Sequence, residues 1–195
     1  MPEAQSELVL QQTADIARSI DHYLARAKTS GAKNLLGSLT PVKAVIEDLL
    51  FVMRRLYRQR ELDFDTSGLG SCAFRGDAQD LEDMLGNLLD NAGKWARKRI
   101  LVHCKSRNDR LLLSIEDDGA GIPEEELESA LERGRKLDES RSGQGLGLAI
   151  AHEIAELYGG KLTLSRSGYG GLCAELELPG EGQCDAAGPA SPGQH

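Results

Sequence analysis

The stretch DAQDLEDMLGNLLDNAGKWA, Asp77–Ala96, carries the pattern on which the fold turns. At about 100° per residue, Leu81, Met84, Leu85, Leu88, Leu89 and Ala92 fall on one face. Asp77 stands where a side-chain oxygen caps a helix start. The residues therefore predict an amphipathic helix from Asp77 to about Ala96. Asn87, Asn91 and Lys94 gather on a second face, roughly a quarter turn from the first. Downstream the period drops to two: Ile100–Lys105 and Leu111–Glu116 alternate like paired strands, with Asn108-Asp109 as the turn between them.

Outward from this core, Pro41 sits where a helix can begin, and Val42–Tyr57 repeats apolar residues at helical spacing. Glu61–Asp65 and Cys72–Arg75 suggest two short strands around a turn rich in Gly and Ser. Pro123 and the glutamates after it suit the first turn of a short helix. Gly143–Tyr158 predicts a further helix, which Gly159-Gly160 ends. Lys161–Ser165 and Ala174–Leu178 close the sheet, with Gly168, Gly170 and Gly171 between them. The sum is an α+β two-layer sandwich, one sheet with helices on one face, spanning residues 35–178. Before it, residues 5–28 carry a broad apolar stripe (Leu8, Ala14, Ile16, Ile20, Tyr23, Leu24, Ala27) that predicts a long helix seeking a partner, stopped at Gly31. From Pro179 onward Gly, Pro, Ala and Ser dominate, and residues 179–195 are expected to be a disordered tail.

The chain has 195 residues, 40% of them hydrophobic, enough for one core with an appendage. A net charge of −8 disfavours a non-specific nucleic-acid or acidic-lipid binder. No apolar run reaches the roughly 20 residues of a membrane-spanning helix. The start, MPEAQSELVL, lacks the basic-then-apolar pattern of a secretory leader. Cys72, Cys104, Cys173 and Cys184 show no close pairing, which fits reduced thiols in a cytoplasmic protein.

Three polar segments carry the chemistry. On the Asp77–Ala96 helix, amide oxygens of Asn87 and Asn91 are groups that Mg²⁺ accepts, and Lys94 is a point charge for phosphate. After the apolar strand Leu111–Ile115 comes Asp117-Asp118-Gly119-Ala120-Gly121. A carboxylate there can accept from an exocyclic amine while the glycines let backbone approach a ligand. The loop Gly143-Gln144-Gly145-Leu146-Gly147 runs into a helix start, where free N–H groups attract phosphate. It is not a Walker A loop, since no Gly-Lys-Ser/Thr follows. Residues 132–142, ERGRKLDESRS, suit a mobile lid whose arginines close on phosphates. Each segment alone also has a plainer reading: a solvated polar face, an Asp-Gly turn in which Asp118 turns the chain while Asp117 points inward, a solvated loop.

Their order and spacing together resemble the ATP-binding catalytic domain of sensor histidine kinases, within the wider family of gyrase, MutL and heat-shock-chaperone ATPases. NLLDNAGKW looks like its N box, DDGAGIP its G1 box and GQGLGL its G2 box. The details look closest to the PhoQ-like sensor kinases of Gram-negative bacteria. The resemblance implies a Bergerat-type ATP-binding fold. It implies that Asn91 coordinates Mg²⁺ with Asn87 and Gln144 near the metal, that Lys94 meets phosphate, and that Trp95 flanks the nucleotide. Asp117 would bind the adenine amino group, with Gly119, Gly121 and Ile122 shaping that pocket. Arg135 and Arg141 would be lid cations, and Gly143, Gly145, Leu146 and Gly147 would wrap the triphosphate. Asn87, Lys94 and Arg141 would serve the transfer itself.

Two departures from that pattern stand out. Related ATPases carry Glu where this chain has Asn87, and an amide cannot take the proton of an attacking water. Transfer to another acceptor is thereby favoured over hydrolysis. Near Ala130-Leu131 the aromatic of the family's F box is missing, which bears on lid docking. No histidine (His22, His103, His152, His195) stands in the family's phosphoacceptor context. Residues 1–31 look like the second helix of the dimerisation and phosphotransfer hairpin, so the acceptor is expected on another chain or segment. The resemblance further implies a homodimer, a response-regulator receiver domain as partner, and a place in the cytoplasmic portion of an inner-membrane sensor. The alternative is a degenerate, ATP-gated module that controls response-regulator dephosphorylation.

Overall fold

The structure is a computed structural model that describes residues 38–131 and 146–183, all within the compact unit Gly37–His195. The element order is β1 (Leu39–Pro41), α1 (Val42–Leu56), β2 (Asp63–Leu69), β3 (Ser71–Arg75), α2 (Ala78–Trp95), β4 (Arg99–Arg107), β5 (Arg110–Asp117), α3 (Gly147–Leu157), β6 (Lys161–Arg166) and β7 (Leu172–Gln183). Short 3₁₀ turns follow α1 at Arg58–Arg60 and β5 at Glu124–Glu126 and Ser129–Leu131. The strands form a seven-stranded sheet in the order β1-β3-β7-β5-β4-β2, with β6 paired to β7. Among the strand pairs only β2 and β4 run parallel. This is the expected α+β sandwich.

The periodicities produce the layers directly. On α2, Leu81, Met84, Leu85, Leu88, Leu89 and Ala92 are all buried. Asp77 caps the helix, its Oδ1 accepting from Gln79 N–H at 2.9 Å. On β5 the alternation buries Leu111, Leu113 and Ile115, and the same face ends at Asp117. Asn108 and Asp109 take positive φ of 52° and 58°, so the β4–β5 hairpin closes on the two left-handed residues that its right-handed twist favours. α3 ends as the paired glycines predict: Gly159 N–H donates to Glu156 O and Gly160 N–H to Ala155 O, both at 2.9 Å.

Three segments differ from the sequence expectation. The Gly/Ser-rich turn of residues 66–69 belongs to β2, whose parallel pairing with β4 shifts register between Asp65 and Gly68. Gly68 lies against the His103 imidazole, where a Cβ would overlap the ring. β1, at the approach to Pro41, pairs with β3 and escaped the sequence pattern. Finally, Pro179–Gln183 is no tail but the end of β7, where Phe74 pairs with Gly180 and Cys72 with Gly182. A Cβ on Gly180 would overlap Ala73 O and one on Gly182 would overlap Ser71 O. These glycines are there because two backbones press together, not because the chain is loose. Residues 1–31 and 184–195, the expected hairpin helix and the rest of the tail, lie outside the described residues.

Candidate functional site

β5 delivers a carboxylate to the end of the core. Asp117 continues the inward face of Leu111, Leu113 and Ile115 and is 2% exposed. Its Oδ1 accepts the Gly119 N–H at 2.8 Å, and Leu172 N–H is a second backbone donor. Burial pushes its pKa above the ordinary carboxylate value; the two N–H groups oppose that, and Asp118 beside it adds to it. Asp118 is the turn residue. Its Oδ1 accepts from Arg97 N–H at 2.8 Å and Lys98 N–H at 3.0 Å, bracing the connection from α2 to β4. Despite its partial burial, those backbone donors hold its carboxyl below the usual range. The two neighbouring aspartates thus have opposite jobs.

Glycines wall the inward carboxylate. A Cβ on Gly119 would stand 2.7 Å from Asp117 Oδ1 and collide with the carbonyl of Trp95, the last residue of α2. Gly121 has φ +73°, and its missing Cβ faces the Gly171 carbonyl at 3.0 Å. Gly171 is the position that the sequence pattern left without a role. A Cβ there would overlap Asp117 Oδ1, Asp117 O and Gly119 N at once. With Leu172 next to it, the β6–β7 turn backs the carboxylate. The cluster Gly168, Gly170 and Gly171 was the available signal, but nothing in it told a wall of the site from a turn. Ile122 follows Gly121, partly buried.

The second part of the site lies along α2. Asn87, Asn91, Lys94 and Trp95 are all partly buried. The Asn87 amide nitrogen donates to Asp83 O at 2.8 Å, which leaves its oxygen directed elsewhere. That oxygen faces the start of α3, 3.1 Å from where a Gly147 Cβ would be, so glycine is what allows the approach. Leu146 precedes α3 as its cap residue. The structure therefore joins the first and third sequence segments at Asn87–Gly147, and the first and second at Trp95–Gly119. Lys94 pairs with Asp90 at 2.5 Å. Arg135, Arg141, Gly143, Gln144 and Gly145 lie outside the described residues. Among the described residues no group of three His, Cys, Asp or Glu is placed to hold a metal. The Asn87 and Asn91 side-chain oxygens on α2 are neutral amides, which suit Mg²⁺ carried in with phosphate oxygens of its own.

The family model for histidine kinase-, DNA gyrase B-, and HSP90-like ATPases matches residues 76–182, which contain α2, the Asp117 turn and all but the last residue of β7. The chain is 32% identical over 169 residues to the sensor protein PhoQ of Escherichia coli (strain K12), a match covering 87% of this chain. It spans only 35% of the length of that relative. The structure is similar to the mycobacterial sensor histidine kinase MprB, with a TM-score of 0.67 and 29% identity over 75% of this chain and 99% of that one. It shares its fold with full-length ShkA solved in complex with AMPPNP, with a TM-score of 0.64 and 20% identity over 75% of this chain and 32% of that one. A buried carboxylate walled by glycines, a helix of amides beside it and these matches agree: the chain belongs to the histidine kinase-, DNA gyrase B- and HSP90-like ATPase family and carries the ATPase domain of its sensor histidine kinase branch.

Proposed function

We propose that this chain binds Mg·ATP and passes the γ-phosphoryl group to a histidine supplied by another segment or chain. The observation that carries the reading is Asp117. A carboxylate almost wholly removed from water, with glycines where side chains would block it, is an acceptor built for a planar ligand's amine. An adenine amino group donates to it, whereas the oxygen at the same place on guanine would repel it.

From Trp95 beside that pocket, α2 runs back to Asn87, about 12 Å along the helix axis. The phosphates then lie along Lys94, Asn91 and Asn87 toward the start of α3. Lys94 meets phosphate; the Asn87 and Asn91 oxygens, with Gln144, hold Mg²⁺, which neutralises phosphate charge. Arg135 and Arg141 close on the triphosphate, with Arg141 serving the transfer, and Gly143, Gly145, Leu146 and Gly147 present backbone N–H groups to it. Ile122 and Trp95 flank the base.

In the transfer an imidazole nitrogen attacks the γ-phosphorus, the bond to the bridging oxygen of the β-phosphate breaks, ADP leaves, and the imidazole proton goes to solvent. Such chemistry is mostly positioning and charge neutralisation. Asn87 offers no base for water, which turns the site from hydrolysis to transfer. The phosphorylated histidine would then serve a response-regulator receiver domain, in a homodimeric sensor whose kinase part faces the cytoplasm. No helix among the described residues is long and apolar enough to cross a membrane.

The test is transfer in trans. The chain is incubated with γ-labelled Mg·ATP and a separately made helical hairpin from the full-length protein that bears its acceptor histidine. Acid-labile label on the hairpin is expected. Label released only as free phosphate would contradict the reading in favour of an ATPase, and bound ATP without any transfer would favour a regulatory module.

A further inference from the structure

The far end of α2 is held by residues that follow α1, an element with no part in the site described above. The Arg60 guanidinium donates to the carbonyl oxygens of Gly93 at 2.5 Å, Lys94 at 2.7 Å and Ala96 at 2.6 Å. These belong to the carbonyls that a helix end leaves without partners of its own, and a cation there also meets the negative end of the helix dipole. Three residues earlier, the Tyr57 hydroxyl donates to Asp90 Oδ1 at 2.7 Å and lies 3.2 Å from the Asp90 carbonyl oxygen. The other carboxylate oxygen of Asp90 takes the Lys94 ammonium at 2.5 Å. Gly93 makes the arrangement possible, since a Cβ on it would overlap the Tyr57 ring. Burial, then the hydrogen bond to Asp90, raise the Tyr57 hydroxyl above its ordinary value, so it remains a protonated donor throughout the physiological range.

We propose that Tyr57 is a positioning residue for the phosphate end of the nucleotide: by fixing Asp90 it fixes the Lys94 ammonium, one turn from Asn91. A lysine head on a four-carbon stem has many rotamers, and ordering it on binding costs affinity. Asp90, held at both oxygens, orders it beforehand. The device reaches the site from α1, so whatever moves the end of α1 against α2 alters the phosphate end before the base end. The inference rests on the reading of Lys94 as a phosphate ligand.

The experiment titrates the 195-residue chain with Mg·ATP and, separately, with adenosine, which lacks the phosphates. The variants are Tyr57→Phe, which keeps the ring against Gly93, Lys94→Ala, and the two combined. Tyr57→Phe is expected to weaken Mg·ATP about threefold to tenfold, the scale of one ordinary net hydrogen bond, since Tyr57 acts on the phosphate end only through Asp90. It should leave adenosine unchanged and add nothing once Lys94 is gone. Asp90→Asn, which keeps an acceptor for the hydroxyl but loses the charge that holds Lys94, should show the same split. Equal loss for ATP and adenosine, or full loss persisting in the double variant, would reduce Tyr57 to a structural residue. If Lys94→Ala weakens ATP and Tyr57→Phe does not, the inference fails while the proposed function stands. If Lys94→Ala leaves ATP binding intact, the phosphate role of Lys94 falls as well.

Discussion

The two ends of the proposed nucleotide site are built by different means. At the base end, Asp117 is fixed by backbone: two N–H donors from Gly119 and Leu172, and glycines at 119 and 171 where no side chain fits. At the phosphate end, Asn87 and Lys94 are fixed by side chains and by their own helix, through Asp83 O and Asp90, with Tyr57 and Arg60 arriving from outside. A backbone wall has little freedom to adjust, so it suits recognition that must be the same in every cycle. A side-chain clamp can loosen without unfolding, so it suits the end where a phosphoryl group leaves. Under the proposed function, rigidity is placed where the base is recognised, and adjustability where the phosphoryl group is transferred.

The sharpest way to break this contrast is to fill the wall. Gly171→Val puts bulk where Asp117 Oδ1, Asp117 O and Gly119 N already stand, and the last two are backbone atoms that cannot swing aside. Calorimetry should show Mg·ATP and adenosine affinity both falling more than about 100-fold, with the fold weakened by about 1–3 kcal/mol. Near-normal adenosine binding would mean that the base lies elsewhere. At the other end, Asn91→Ala should remove most of the Mg²⁺-dependent gain in ATP affinity, about tenfold, and leave adenosine alone. An unchanged Mg²⁺ dependence would move the metal off α2.

What could be read from the chain beforehand follows the same division. α2 and the β4–β5 hairpin were legible because their signals are local: a 3.6-residue stripe from Leu81 to Ala92, and two turn residues that tolerate positive φ. The order of the strands was not, since β3 with β7 and β2 with β4 pair across long separations. Gly180 and Gly182 read as loose tail because composition cannot tell a mobile glycine from one that two strands press against. Asp117 and Asp118 were separable in direction but not in function until the donors Arg97, Lys98 and Gly119 were in place. Tyr57, Arg60 and Asp90 gave no signal at all, since each is an ordinary polar residue of a helix or turn until the tertiary fold joins them. Resemblance to a family supplied roles for its motif residues but none for these three, although Asp90 lies within the NLLDNAGKW string itself.

A smaller effect sharpens the contrast through pH. Asp117 binds its proton more tightly in the fold than in the unfolded chain, because burial raises its pKa. Its ionisation is therefore a cost to stability at neutral pH, relieved as pH falls through the raised folded value. Asp117→Asn should melt at the same or a slightly higher temperature than the wild type near pH 7, and that advantage should fade in acid. Adenosine affinity should begin to fall at a pH above the ordinary aspartate value of about 3.9, since the ionised carboxylate is the better acceptor. Flat adenosine affinity down to that pH would contradict the base-end assignment.

Whether one buried carboxylate recognises the nucleotide is decided by titrating Mg·ATP calorimetrically into the wild-type chain and into Asp117→Asn, both shown to be folded by melting. Saturable binding is expected in the wild type and none detectable in the variant if Asp117 holds the adenine amino group. Equal affinity in the two would contradict it.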